Sequence, residues 1–174
     1  MNMEVTLIAA MTADGFIADA NGNGDFSSQE DKSHLREFLH SNSVDGFILG
    51  RKTALEFAAR LTHKPLFVFT RNTNLTDTNN FMYCRDIAEL RIKIERLRHP
   101  HRPTHLALLG GGEIYSHFLA NRLVDQMIIT VETNLTFGSG TPLNLAKYLP
   151  EFKQSQVLQL SNTTKVFVYN KPAT

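Results

Sequence analysis

The chain contains a single cysteine, Cys84, which excludes a disulfide within the chain. One cysteine is typical of a reducing compartment, so we expect a cytoplasmic protein in which Cys84 is a half-buried core residue. The net charge of +1 argues against a general binder of nucleic acids or membrane surfaces. The N-terminal segment reaches Asp14 after a short apolar run without a basic region, which predicts neither a signal peptide nor a membrane span.

The sequence also lacks repeats, low-complexity tracts and long linkers. Its 174 residues therefore predict a single domain, residues 1–174, that buries a core of its own. Three histidines, His99, His101 and His105, precede or begin an apolar stretch without helical spacing and without a neighbouring carboxylate. We expect these histidines to be solvated, and we expect no metal site.

Short apolar runs rich in β-branched and aromatic residues alternate with helical patterns, which predicts an α/β fold. The predicted strands are residues 4–11, 46–49, 66–70, 104–109, 126–133, 154–160 and 165–170. The predicted helices are residues 29–41, 52–59, 87–97 and 112–120. The last two strands read as a hairpin around residues 161–164, so an antiparallel edge should complete a mostly parallel sheet.

The segment LALLGGGEIYSHFL places Gly110, Gly111 and Gly112 between a predicted strand and a predicted helix. A helix N-terminus carries unpaired N–H groups and a partial positive charge, and glycines leave it open to an anion such as a phosphate. A tight strand-to-helix turn with close packing explains the glycines equally well. Tyr115 stands where a dinucleotide-fold fingerprint needs its last glycine, so the segment is not that fingerprint.

Two other predicted strands end in a comparable way. DGFILGRKT runs into Gly50 and the cationic residues Arg51 and Lys52, and PLFVFTRN runs into Thr70 and Arg71. A parallel sheet binds ligands outside the carboxyl ends of its strands, and arginine is well suited to a phosphate monoester. Each arginine alone is typical of a solvated surface, whereas the three strand ends together favour a phosphorylated ligand.

Asp31 is the most informative acid in the sequence. Leu35 and Phe38 follow it at helical spacing, which places Asp31 on the apolar side of its helix. An ionised carboxylate is costly there unless a partner or ligand meets it. Alternatively, Asp31 lies in the first turn, where the helix dipole and a capping arrangement with Ser28 stabilise it.

Taken in chain order, these segments resemble the dihydrofolate reductase-like fold, and specifically the reductase family related to the C-terminal domain of the riboflavin-biosynthesis deaminase-reductase. The matching stretches are LIAAMTADGFIAD, Phe26 with Asp31 five positions later, VDGFILGRKT, KPLFVFTR, LLGGGEIYSHFL and VDQMIITVE. The likeness runs from Val5 to about Pro142. It implies a three-layer α/β sandwich with a mostly parallel central sheet, an antiparallel C-terminal hairpin edge and helices on both faces.

The resemblance implies that NADPH lies across the sheet. Its phosphates would be held by Gly50, Arg51, Lys52, Thr53 and the Gly110 turn, with Thr70 and Arg71 beside the adenosine 2′-phosphate. The pyrophosphate and nicotinamide side would be cradled by Gly111, Gly112, Glu113, Ile114 and Tyr115. Ala10 and Ile17 would border the nicotinamide, and the loop at Asp14 would cover it.

For the substrate, the resemblance implies that Asp31 anchors the ring nitrogens of a heterocycle, supported by Thr130, with Phe26 and Phe38 also in contact. The expected activity is hydride transfer to a pyrimidine- or pterin-like small molecule. The leading form is a 5-amino-6-(5-phosphoribosylamino)uracil reductase, followed by a dihydrofolate reductase. A non-catalytic NADPH-binding regulatory module is the alternative of another class. A homodimer is expected from the same resemblance.

The sequence departs from these families in several respects. Phe26 stands where tryptophan is common, and no arginine occupies the position that holds the folate carboxylate, His63 and Lys64 being nearest. The deaminase half, with its H-x-E and C-x-x-C zinc motif, is absent from the chain. The sequence therefore predicts a reductase domain alone.

Overall fold

The structure is a computed structural model and describes residues 3–61 and 63–172. Within these ranges, ten strands form: β1 (Met3–Thr12), β2 (Phe16–Ala18), β3 (Gly46–Gly50), β4 (Leu66–Phe69), β5 (Phe81–Cys84), β6 (Thr104–Leu108), β7 (Gln126–Glu132), β8 (Thr141–Pro142), β9 (Lys153–Gln159) and β10 (Thr164–Asn170). Four α-helices form: α1 (Gln29–His40), α2 (Arg51–Leu61), α3 (Ile87–Ile94) and α4 (Gly112–Ala120). The expected alternation of strands and helices is confirmed.

Eight strands make one sheet in the order β5-β4-β3-β6-β1-β7-β10-β9. The first six strands in that order are parallel, and β10 pairs antiparallel with both β7 and β9. The antiparallel C-terminal edge predicted from the hairpin is therefore present. Strands β2 and β8 form a separate two-stranded ribbon.

Successive side chains of the central strands point to opposite faces of the sheet and contribute to two cores, one on each face. Val5 and Leu7 of β1 join the core that α3 and α4 cover, whereas Ile8 joins the core that α1 and α2 cover. The result is the predicted three-layer sandwich. Because α1 and α2 share one face, a groove lies between them, and this groove becomes part of the candidate site.

Several local predictions need correction. Strands β2, β5 and β8 were not predicted: β2 and β8 have only three and two residues, and β5 is only alternately buried, unlike β4 of the same length. Cys84 ends β5 and is fully buried rather than half-buried, and this burial raises the pKa of its thiol to about 12. The third helix stops at Ile94, and residues Glu95–Leu97 form a 3-10 turn.

Two of the three clustered histidines are held in hydrogen bonds rather than solvated. The Nε2 atom of His99 lies 2.8 Å from Asp45 Oδ1, and the ring of His105 lies between Thr6 Oγ1 (2.8 Å) and the carbonyl of Ser43 (3.0 Å). Asp45 comes from a distant part of the sequence, so local spacing gave no sign of it. In the described ranges, no helix is long and apolar enough to cross a membrane.

Candidate active site

A cleft of about 1360 Å³ opens at the carboxyl ends of β1, β3, β4 and β6 and continues between α1 and α2. Its volume exceeds the roughly 300–1,000 Å³ of most small-molecule pockets and suits two ligands side by side. The predicted site residues that line it are Ala10, Ile17, Asp31, Phe38, Gly50, Arg51, Lys52, Thr53, Thr70, Arg71, Gly110, Gly111, Gly112, Glu113, Ile114, Tyr115 and Thr130.

Two helices begin at the floor of this cleft, α2 directly after Gly50 and α4 directly after Gly111. The two turns are joined by a hydrogen bond from Gly50 N–H to the carbonyl of Gly110, with an N···O distance of 2.6 Å. Gly111, the N-cap of α4, offers no side chain to the first N–H groups of the helix. Two partly positive helix ends therefore face one cavity, which is the arrangement that receives phosphates.

The glycines at these turns are needed for space and for backbone conformation. Gly110 has φ +115°, a left-handed conformation that favours glycine. A Cβ on Gly112 would lie 2.9 Å from Cγ2 of Thr141, and a Cβ on Gly50 would lie 3.1 Å from Cγ1 of Ile114. The tight turn is therefore confirmed as a reason for the glycines, and the same backbone lines the cleft, so that binding of an anion there stays a prediction.

The cationic side chains at the mouth of the cleft are exposed. Arg51 and Lys52 have no carboxylate partner among the described residues. Arg71 approaches Glu113 at 3.9 Å, but their side chains are 97% and 89% exposed. An exposed pair at this distance contributes little, so Arg71 can turn to another anion at small cost.

The side chain of Tyr115 packs against the glycine turn at Gly110. Its hydroxyl donates to the carbonyl of Ile8 at 2.5 Å, and its ring lies within 3.4 Å of the position that a Cβ on Gly110 would take. Burial raises the pKa of the phenol well above its usual value of 10. The hydroxyl is thus bonded to the β1 backbone, and the surface that Tyr115 presents to the cleft is the apolar part of its ring.

Asp31 faces the cleft from the first turn of α1, and only 5% of it is exposed. Thr130 of β7 donates to its Oδ1 atom at 2.6 Å. Within the described part of the chain, no group donates to Oδ2, and neither oxygen is both fully buried and unpartnered. One carboxylate oxygen is therefore fixed by the protein and the other is open to a ligand.

The two interpretations of Asp31 turn out to be compatible. Ser28 is the N-cap of α1, and its Oγ atom accepts from the backbone N–H of Asp31 at 3.2 Å. The cap therefore uses the main chain of Asp31 and leaves the carboxylate free to point at the cleft. The Asp31 carboxylate is thus stabilised by the dipole of α1 and by the hydrogen bond from Thr130 while it faces the cleft.

Sequence reasoning missed the buried acid that anchors this turn. Glu132, which is 4% exposed, accepts from the backbone N–H of Ser28 at 2.7 Å and from the hydroxyl of Thr164 at 2.8 Å. Glu132 lies two residues after Thr130 on the same face of β7. That alternation was a usable signal. Through Ser28, Glu132 fixes the start of α1 and hence the position of Asp31.

The loop between β1 and β2 is tied to the loop before β8 by Asp14. Thr12 donates to the Asp14 carboxylate at 2.5 Å, and the backbone N–H groups of Phe137 and Gly138 donate at 3.2 and 2.8 Å. These hydrogen bonds, that of Thr12 above all, lower the pKa of Asp14. The loop expected to cover the site is thus bonded to a second loop.

Phe26 does not reach the cleft. Its ring packs edge to face on Phe137, with the centroids 5.1 Å apart, and it is not among the lining residues. The prediction that Phe26 contacts substrate therefore finds no support in its position, because the ring packs on the loop before β8 instead. Among the described residues, no group of three or more His, Cys, Asp or Glu side chains could hold a metal ion.

Solved structures with a similar fold were found by comparison of the whole chain. The chain superimposes on a deaminase and 5-amino-6-(5-phosphoribosylamino)uracil reductase from Thermotoga maritima with a TM-score of 0.74 at 18% identity, over 98% of its own length and 57% of the other chain. It matches dihydrofolate reductase from Enterococcus faecalis, solved with NADP(H), with a TM-score of 0.74 at 14% identity over 99% and 100% of the two chains. The chain has the dihydrofolate reductase-like fold.

The sequence comparisons are more distant. No protein-family model matches the chain. Two Bacillus subtilis proteins of uncharacterised function are similar: YwjB is 28% identical over 82% of this chain and 83% of its own length, and YyaP is 26% identical over 91% and 87%. The dihydrofolate reductase-like fold is thus shown, whereas activity and substrate must be argued from the residues of the cleft.

Proposed function

We propose that the protein is an NADPH-dependent reductase that transfers hydride to a pyrimidine- or pterin-like heterocycle. The observation that carries the proposal is the half-satisfied carboxylate of Asp31, which opens into the same cleft as the glycine-bordered starts of α2 and α4. A carboxylate oxygen in a sheltered cleft suits the N–H groups of a heterocycle. Two open helix ends beside it suit a pyrophosphate.

The residues present fit a dinucleotide cofactor. The N-termini of α2 and α4 would hold its phosphates, and the side chains of Arg51 and Thr53 extend that cradle. Arg71 would meet the 2′-phosphate, which favours NADPH over NADH. Ala10 and Ile17 offer the small and apolar surfaces that a nicotinamide ring requires. The volume of the cleft supports a cofactor and a substrate bound together.

When bound, NADPH supplies the hydride, and the protein supplies orientation and a dry site. Asp31 would accept ring N–H groups at Oδ2 while Thr130 holds Oδ1, which fixes the plane of the heterocycle. Glu132 and Ser28 keep the start of α1 in place. The reduction also consumes one proton, which the Asp31 carboxyl, beside the bound heterocycle, would relay.

Within this class, 5-amino-6-(5-phosphoribosylamino)uracil is the leading substrate, in keeping with the fold shared with the Thermotoga enzyme. Dihydrofolate is the second candidate, because Leu35, Phe38 and Phe57 line the cleft with apolar surface that suits an aromatic substituent. A cofactor-binding module without turnover is the alternative of another class.

The test is NADPH oxidation by the purified protein, followed by absorbance, with the ribosylaminouracil phosphate and dihydrofolate as separate substrates. Oxidation that depends on one of them supports the proposal and selects that substrate. Tight NADPH binding without oxidation by either would favour the non-catalytic module. Absence of NADPH binding would contradict the proposal as a whole.

A further inference from the structure

A buried row of polar side chains crosses the sheet below the start of α1. Thr12 of β1, Glu132 of β7 and Thr164 of β10 lie opposite one another in the strand register, and they are 0%, 4% and 0% exposed. The hydroxyl of Thr12 donates to Asp14 in the loop after β1. Glu132 and Thr164 are therefore the two members of the row that contact Ser28, the N-cap of α1.

Glu132 is buried without a cation. Within residues 3–61 and 63–172, it takes part in no ion pair, and its carboxylate accepts from the backbone N–H of Ser28 and from the hydroxyl of Thr164. A strand position that served packing alone would hold an apolar side chain at lower free energy. The acid therefore indicates that a strong acceptor is needed at this place.

The charge of Glu132 sets the direction of the hydrogen bonds that lead from β7 to α1. Thr164 Oγ1 lies 2.8 Å from Glu132 Oε2 and 3.0 Å from Ser28 Oγ, and it has one proton to donate. The proton goes to the carboxylate, because a hydrogen bond to an ionised acceptor is the stronger one. Thr164 then accepts from the hydroxyl of Ser28. This leaves the lone pairs of Ser28 Oγ for the backbone N–H of Asp31, at 3.2 Å.

The C-terminal hairpin holds Thr164 at a fixed point. Thr164 is the first residue of β10, and its carbonyl accepts from the N–H groups of Leu160 (3.0 Å) and Ser161 (3.3 Å) across the hairpin. Val166, the next residue on the same face of β10, is fully buried in the core that α1 and α2 cover. The β-branched side chain of Thr164 has few rotamers of its own. Its hydroxyl is therefore a rigid support for the start of α1.

Strand β7 thus holds Asp31 at two points. Thr130 binds one oxygen of the carboxylate directly, and Glu132 holds the main chain through Thr164 and Ser28. Loss of the second point would leave the carboxylate bonded to Thr130 and free the first turn of α1 to move. Its other oxygen would then no longer be aimed at one place in the cleft. A displacement of about 1 Å at a reacting site can cost about a hundredfold in rate.

We propose that Thr164 is a positioning residue of the candidate active site: together with Glu132, it orients the Ser28 cap and, through the cap, the open oxygen of Asp31. The inference rests on the proposed function, because it concerns the approach of Asp31 to a substrate. It extends the functional part of the molecule to the C-terminal hairpin, which supplies none of the residues that line the cleft.

The first experiment compares Thr164→Val with Thr164→Ser by steady-state kinetics on an accepted substrate. Valine keeps the branched shape and removes the hydroxyl, so turnover should fall about tenfold while the NADPH dissociation constant changes less than about twofold. Serine restores the hydroxyl and should restore most of the turnover. The matched control is Thr163→Val in the turn of the same hairpin, whose hydroxyl faces Ser161 at 3.4 Å, and it should behave like wild type.

A double variant separates positioning from a general structural role. If Thr164 acts through Asp31, then Thr164→Val should change the turnover of Asp31→Asn less than about twofold, because the oriented carboxylate is already lost. A general structural role would lower turnover by the same factor in both backgrounds. Equal factors would therefore overturn the inference.

The second experiment does not depend on activity and measures amide hydrogen exchange by NMR. The backbone N–H of Asp31 should exchange about tenfold faster in Thr164→Val than in wild type, and at the wild-type rate in Thr163→Val. Unchanged exchange at Asp31, or wild-type turnover in Thr164→Val, would overturn the inference. Failure of the proposed function gives a different result: wild type oxidises NADPH with neither substrate, while exchange at Asp31 still responds to Thr164→Val and supports the chain of hydrogen bonds.

Discussion

The parallel strands of the central sheet have their amino ends on one side, called here the amino edge, and their carboxyl ends on the other, the carboxyl edge. The two sides use the same residue types in opposite ways. At the amino edge, both oxygens of Asp45 are occupied: Arg102 donates to them at 2.6 and 2.7 Å, and the backbone N–H of His105 donates at 2.9 Å. At the carboxyl edge, Asp31 has one partner, Thr130. A saturated carboxylate holds the fold together, whereas a half-satisfied one in a cleft is available to a ligand.

The cations of the two edges differ in the same way. Arg102 is paired with Asp45, and together they close the start of β3 against the start of β6. Arg51 and Arg71 at the other edge are exposed and have weak partners or none in the described ranges. Residue type alone does not separate the groups that hold the fold from the groups open to a ligand, and the number of satisfied hydrogen bonds does.

The sharpest test of this comparison is Asp31→Asn. The amide can still accept from Thr130, so the shape is kept, but the anionic oxygen that faces the cleft is lost. We expect turnover to fall about a hundredfold, with the NADPH dissociation constant changed less than about twofold. Steady-state kinetics and cofactor titration measure the two effects. Unchanged turnover with an accepted substrate would remove Asp31 from the site.

The matched variant at the other edge is Asp45→Asn, which should affect stability rather than turnover. The loss of charge-assisted hydrogen bonds from Arg102 should lower the free energy of unfolding by about 2 kcal/mol near neutral pH. Denaturant unfolding of wild type and Asp45→Asn measures this difference in the free energy of unfolding. A loss of activity without a loss of stability would contradict the assignment of Asp45 to the fold.

Asp45 should also make the free energy of unfolding depend on pH in the acid range. Burial alone would raise its pKa, but the hydrogen bonds from Arg102, His105 and His99 lower it to about 2, from an ordinary value of 3.8. The stabilisation from Asp45 is therefore full above about pH 4 and is lost as pH falls toward about 2. Melting curves across this range should show a steeper acid destabilisation in wild type than in Asp45→Asn.

Arg71→Ala should give the smallest of these effects. If Arg71 meets the 2′-phosphate as proposed, its loss should weaken NADPH binding about tenfold and leave NADH binding nearly unchanged. Titration with both cofactors measures the difference. Equal weakening of both cofactors would place Arg71 elsewhere on the dinucleotide.

Long periodic segments let the sequence predict most of the fold. The strands around Ile8, Ile48 and Ile128 and all four helices were found because their apolar patterns run over many residues. The four-residue strand β5 was not predicted although β4 has the same length, because β4 is buried throughout whereas β5 is only alternately buried. The ribbon of β2 and β8 was not predicted, since strands of two or three residues are defined by their partners. Their pairing is a property of the tertiary structure.

The candidate site was predictable where its residues follow strand ends and not where distant segments meet. Gly50, Arg71 and Gly111 could be predicted as candidates because Gly50 ends β3 and the other two follow the ends of β4 and β6 within three residues. The bond between Glu132 and Ser28 joins residues 104 positions apart, and the bond between Thr130 and Asp31 joins residues 99 positions apart. No local pattern encodes either contact.

The most direct test of the central claim compares the shift in melting temperature that NADPH produces in wild type, Asp45→Asn and Arg71→Ala. If the unsatisfied groups at the carboxyl edge form the cofactor site, NADPH raises the melting temperature of wild type and Asp45→Asn by the same amount. The shift in Arg71→Ala is then clearly smaller. Equal shifts in all three proteins, or no shift in wild type, would contradict the assignment of this edge to the cofactor.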